Sequence, residues 1–169
     1  MNVRAEILKE HSKVQALKIA RYACSSPYNF DELMKCFMAD DYQVSQRAAW
    51  SLDWAARNEP SMILPYIGDL VTQIQNDKVH PSVIRHSLRI LEDVDIPEVF
   101  HGDVMNACFN FLESASTPAA IKVFSLTTLR NLAGYYPEIK KELKLIIEER
   151  WPHESKAFKS RGRTILASL

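Results

Sequence analysis

Glycine is scarce in this 169-residue chain: there are four, at positions 68, 102, 134 and 162, and the closest two are 28 residues apart. Dinucleotide fingerprints and phosphate loops need clustered glycines to bring backbone N–H groups onto a phosphate, so neither can be written here. Cysteine is nearly as rare. Cys24, Cys36 and Cys108 are odd in number, widely spaced and set in apolar helical pattern, which predicts reduced packing residues in a cytoplasmic protein rather than a disulfide framework. No run approaches the ~18 apolar residues of a membrane span, and with charges scattered through Met1 to Lys13 no secretory leader is expected. The five histidines make no H-E-x-x-H motif and no i, i+4 pair, so no metal site and no cofactor is expected. No Ser/His/Asp or Cys/His grouping stands out either. The pattern predicts no catalytic residue and a protein that is not an enzyme.

What is present is balanced overall and lopsided locally. Basic and acidic residues number 21 each, but residues 61–113 hold 3 basic and 8 acidic side chains, whereas 114–169 hold 10 and 5. Duplex DNA binding normally raises net charge through a basic stripe, so nucleic acid is an unlikely partner on this count. An acidic centre and a basic end leave room for a bipolar partner or for self-association. The run Glu92-Asp93-Val-Asp95 at a helix end opposes the macrodipole; Ile96-Pro97 breaks the ligand spacing of a calcium loop, so the run reads as a solvated turn or a contact for a basic partner.

Seven of the eight prolines fall into two series. Those at 27, 60, 97 and 137 step by 33, 37 and 40 residues, and those at 81, 118 and 152 by 37 and 34. Two interleaved ladders imply a repeat of about 37 residues. Apolar spacing is helical almost throughout, over 2–10, 13–24, 29–39, 43–57, 61–75, 81–93, 101–114, 118–133, 137–149 and 154–167. Most prolines precede a helix, where the missing N–H is no loss. Asp31, Ser61, Asp103 and Glu138 place acceptors or negative charge near helix starts, and Gly134 is the expected C-cap of helix 118–133.

The first helix of each pair repeats an apolar, small, leucine stripe at i, i+4 and i+8: Val44/Ala48/Leu52, Val83/Ser87/Leu91, Ile121/Ser125/Leu129 and Phe158/Gly162/Leu166. A small residue at the centre of such a stripe lets a neighbouring helix approach closely. Second helices carry their own apolar faces, for example Phe30/Leu33/Met34/Phe37 and Leu64/Ile67/Leu70/Val71/Ile74. Stacked pairs would bury both faces. The expected fold is all-α, an α-α superhelix (solenoid) of about four helix pairs at 13–39, 43–75, 81–114 and 118–149 with a closing helix at 154–167, in a single domain over 1–169.

The segment Asp41-Tyr-Gln-Val44-Ser-Gln-Arg47-Ala-Ala49-Trp-Ser-Leu52 resembles the first helix of a HEAT repeat, departing from it at Ser45, where such repeats commonly carry arginine. With His80-Pro-Ser-Val-Ile-Arg85, Ile121 through Leu132, and Lys156-Ala-Phe-Lys-Ser-Arg161-Gly-Arg163, the chain is similar to small bacterial HEAT-like proteins of comparable length. Some of these carry the label adenylosuccinate lyase. That enzyme resembles a much longer helical bundle with a Ser-Ser and Met-Pro-x-Lys signature loop; here Ser25-Ser26 is followed by Pro27-Tyr28-Asn29-Phe30, and the activity is not carried over.

The absence of a catalytic grouping, together with an architecture that makes extended surfaces, predicts a non-catalytic scaffold or adaptor that binds a protein or peptide. Candidate partner-binding residues are Arg47, Trp50, Trp54, His80, Arg85, Lys122, Lys159 and Arg161. Trp50 and Trp54 lie four apart on one helix beside arginines, a composition of interface hot spots, although packing between repeats would place them equally well. His80 before Pro81 reads as a cap or a surface residue near Arg85. The tail cations read as a solvated face or a contact for acidic protein or phosphate. The alternative is a nucleic-acid-binding protein like the HEAT-like DNA-alkylation-repair glycosylases, which line their grooves with basic residues.

Overall fold

Six of the eleven helices start behind polar side chains that take up orphaned backbone donors. Asn2, Ser12, Ser26, Asp41, His80 and Ser155 each accept a hydrogen bond from a backbone N–H of the first turn they precede, a contribution of about 1 kcal/mol per helix. The computed structural model describes residues 1–169, with eleven α-helices, three 3-10 turns and no strand. No helix is long and apolar enough to cross a membrane. The chain divides into two compact units, Met1–Val94 and Asp95–Leu169, so the boundary falls inside the segment 81–114 expected as one pair.

The first unit contains α1 (Val3–Lys9), α2 (Lys13–Ala23), α3 (Pro27–Phe37), α4 (Tyr42–Asn58), α5 (Pro60–Ile63), α6 (Ile67–Ile74) and α7 (Pro81–Leu91). Helix α4 is its centre, touched by α1, α2, α3 and α7, and α7 also packs on α6. The second unit contains α8 (His101–Glu113), α9 (Ala119–Leu132), α10 (Ile139–Arg150) and α11 (Lys156–Ser168). Here α9 is central, between α8 and α11, with α10 on both α8 and α9.

The helix expected over 61–75 is broken. Pro65 lacks the donor that would continue the ladder, and Leu64–Tyr66 forms a 3-10 turn between α5 and α6. Leu64, expected on the apolar face, is 52% exposed, and Ile63 is buried instead. Pro27, Pro60 and Pro81 open helices as expected. Pro118 sits one residue earlier, at the N-cap of α9, and Pro137 lies two before α10. Asp31 and Ser61 are not caps, Asp103 supplies only charge in the first turn of α8, and Glu138 makes no capping bond. Gly134 follows the C-cap residue Ala133 and does not adopt positive φ. The chain instead stays in a tightening turn, with Tyr135 and Tyr136 N–H both donating to Leu132 O.

The repeated stripe forms the core. Val44, Ala48, Leu52, Val83, Ser87, Leu91, Ile121, Ser125, Leu129 and Phe158 are all buried. Leu166 is only half-buried, and Ile165 takes its place inside. Where the small central residue is serine, its hydroxyl returns to the helix: Ser87 Oγ donates to Val83 O and Ser125 Oγ to Ile121 O, both at 2.7 Å. A buried hydroxyl is thereby satisfied without widening the interface. Gly162 marks the closest approach, since a Cβ there would lie 3.0 Å from Trp151 Cζ3 and 3.2 Å from Ile147 Cγ2. Gly162→Leu is therefore expected to overpack this contact and cost about 1–3 kcal/mol in chemical denaturation; an unchanged midpoint would show that the stripe does not set helix spacing. The three cysteines are free, and complete burial pushes the Cys108 thiol up to about 12.

Candidate functional site

The two tryptophans of α4 project from successive turns into different surroundings. Trp50 meets His11 edge-on, with centroids 5.4 Å apart at 83°. Beside it Arg47 donates through Nη1 to Ile7 O and Leu8 O at 3.2 Å, taking up carbonyls that the end of α1 leaves without partners. Only about 10 Å³ of space remains among Arg47, Trp50, His11 and Ile19. Trp50 and Arg47 thus seal α1 and α2 onto α4.

Trp54 borders an open hollow of about 330 Å³, whose other walls are Leu17, Ala20 and Arg21 from α2 and Arg57 and Asn58 from α4. Lys13 Nζ lies 5.2 Å from the ring centroid and Arg57 Cζ 4.4 Å, within cation–π range. The indole N–H is buried and has no hydrogen-bond partner. The result is a half-buried aromatic wall with Lys13, Arg21 and Arg57 exposed around it.

Arg57 is held by a carboxylate that sequence reading did not single out. Asp53, 2% exposed, accepts from Arg57 Nε at 3.0 Å and Nη2 at 2.5 Å. Asp53 Oδ2 is also 3.1 Å from His86 Nδ1, and Oδ1 lies 3.5 Å from Arg89 Nε. On its other side His86 Nε2 is 3.3 Å from Arg85 Nη2, so Nδ1–H donates to Asp53 while Nε2 accepts from Arg85. Burial pushes the Asp53 carboxyl up, but hydrogen bonds from His86 and Arg57 outweigh it and hold the group below the usual aspartate value. The Asp53/Arg57 i, i+4 spacing was a visible signal; His86 and Arg89 come from α7 and had none.

The other candidates are separate. His80 caps α7 by accepting from Ser82 N–H at 3.0 Å and stands edge-on to Tyr42 at 4.9 Å. Desolvation, then the charges of Arg85 and His11, lower its pKa, which keeps the cap lone pair available at neutral pH. Arg85 is exposed next to the Asp53 cluster. In the second unit Lys122 is 1% exposed and pairs with Glu154 Oε1 at 2.5 Å, an oxygen shared with Arg150 at 2.9 Å. It is an internal cation, not a surface one, because α9 turns it inward with Ile121 and Val123. Arg161 donates to Thr127 Oγ1, Arg163 lies over Trp151 at 5.4 Å, and Lys159 is half-buried on α11.

The family model described as HEAT repeat domain matches residues 3–169. No curated protein and no solved structure matches the chain.

Proposed function

Because the chain belongs to the HEAT repeat domain family, a family of helical-repeat scaffolds, we propose that it is a non-catalytic scaffold holding a protein or peptide against the α2–α4 surface around Trp54. The observation that carries this reading is the contrast between the sealed Trp50 and the open hollow beside Trp54. Tryptophan and arginine dominate interface hot spots because they combine large apolar area with directional polar contact. Lys13 and Arg21 give the rim positive charge, while Asp53 neutralises Arg57. The preferred occupant is a peptide with an aliphatic side chain for the hollow and a carboxylate for the rim.

Selection from a displayed random-peptide library by the full chain tests this. Enriched sequences should pair an aliphatic with an acidic residue, and Trp54→Ala should weaken their binding at least about tenfold with helicity retained. Absence of enrichment, or equal binding to Trp54→Ala, overturns the reading. The nucleic-acid alternative draws less support, since the units carry 11 basic against 12 acidic and 10 against 9 residues. Lys122, Arg161 and Arg163 moreover have internal partners. Duplex affinity falling steeply with salt would restore that alternative.

A further inference from the structure

A second hollow, of about 380 Å³, opens in the Asp95–Leu169 unit, and its walls include Asp95, Glu98, His101, Tyr135 and Tyr136. It shares no residue with the Trp54 surface and does not rest on that reading. Three aromatic rings make a corner. Tyr136 stands at 87° to His101 with centroids 5.5 Å apart, and Tyr135 at 44° and 5.2 Å.

The corner is braced from behind. His101 is buried, and its Nε2 lies 2.6 Å from Ile96 O, with Nδ1 3.0 Å from Tyr136 Oη. A carbonyl can only accept, so Nε2–H donates to Ile96, and in the neutral ring Tyr136 O–H donates to Nδ1. Tyr135, 62% exposed, donates through Oη to Asp95 Oδ1 at 3.2 Å, which pins its ring beside the hollow and leaves Asp95 Oδ2 available. Asp95 and Glu98 are both exposed and are the only charged side chains in the walls; no lysine or arginine lines the hollow.

Aromatic faces attract cations through their quadrupole, and carboxylates at the rim add Coulombic attraction. No group of three or more His, Cys, Asp or Glu side chains that could hold a metal ion is present. A lysine ammonium is a strongly hydrated point charge. A guanidinium is planar and weakly hydrated, lies flat on a tyrosine ring and forks onto a carboxylate. Free arginine would bring its own carboxylate towards Asp95 and Glu98, a repulsion that an arginine within a peptide avoids. We propose that this hollow is a recognition subsite for an arginine side chain carried on a partner polypeptide.

The test is titration of the isotope-labelled full chain, followed by amide shifts, with an acetylated and amidated glycine-serine peptide carrying one arginine. Saturable shifts are expected at Glu98, His101 and Tyr135, with binding weakened about tenfold when citrulline replaces arginine or when Tyr135 is changed to alanine. Glu98→Gln should weaken binding about fivefold and flatten its salt dependence. Tyr135→Phe, which keeps the ring, should retain binding. The same spectra report whether each variant is folded. Equal affinity for the citrulline peptide, an equal or tighter grip on a lysine peptide, shifts confined to other surfaces, or loss with Tyr135→Phe as complete as with Tyr135→Ala would overturn the assignment. Shifts that grow with protein concentration alone, without peptide, would assign the hollow to a second copy and also overturn it.

Discussion

Glu154→Gln is expected to cost about 3–4 kcal/mol of unfolding free energy, read by chemical denaturation, whereas Lys122→Met should cost about 1 kcal/mol or nothing. The asymmetry follows from where each charge can go. Lys122 is 1% exposed, so neutralising Glu154 leaves a buried ammonium facing an amide oxygen in place of a carboxylate, and the desolvation already incurred is no longer offset. Glu154, by contrast, keeps Arg150 at 2.9 Å when Lys122 is lost, and a methionine of similar volume fills the space under α9. Burial pushes the Glu154 carboxyl up, but hydrogen bonds from Lys122 and Arg150 outweigh it and hold it below its usual value. That contribution is therefore present above the ordinary carboxylate range and is lost as pH falls through the folded-state value. If Lys122→Met were the more damaging change, the ion pair would not be what holds α9 to the turn before α11.

Asp53→Ala is expected to cost about 2–4 kcal/mol and to affect binding as well. Its carboxylate accepts from Arg57 and His86 and pairs with the charge of Arg89, so it joins α4 to α7. The arginines can regain water when it is removed, which moderates the loss; His86, 8% exposed, cannot do so easily. The folded-state pKa is lowered, so the stabilisation is complete above about pH 4 and declines as acid titrates the folded-state carboxyl. Wild-type stability should fall more steeply below that point than the stability of Asp53→Asn. The same substitution releases Arg57 from its position over Trp54, so peptide affinity should drop although Asp53 itself touches no ligand. A variant as stable and as acid-sensitive as wild type would remove Asp53 from this role.

Local patterns with a fixed period were legible in the chain. The apolar, small, leucine stripes predict the buried face of α4, α7 and α9 almost residue by residue, because i, i+4 and i+8 share a side whatever the helix later meets. Caps were less legible: Asp31 and Ser61 were expected near helix starts, but Ser26 and Asp41 supply the capping bonds of α3 and α4. The break at Pro65 is hidden in the apolar pattern, because Ile67 through Ile74 continue the helical spacing although the missing donor forces a turn. Contacts between helices were not legible. Trp50 and Trp54 have similar arginine neighbours and are both half-buried, and only the segment at the end of α1, which fills the space beside Trp50 and not beside Trp54, sets them apart. Nothing in the local pattern marks Lys122 as internal, because its partner Glu154 lies 32 residues away. His101 and Tyr136, 35 apart, come together only through the packing of α8 on α9, which no local pattern shows.

The most direct test of the scaffold reading is hydrogen–deuterium exchange of the full chain with and without a peptide selected on it. Protection is predicted across Lys13–Ala23 and the C-terminal half of Tyr42–Asn58, and it should disappear in Trp54→Ala. Protection confined to Asp95–Leu169, or none anywhere in the chain, would contradict the assignment of the Trp54 surface as the place where a partner is held.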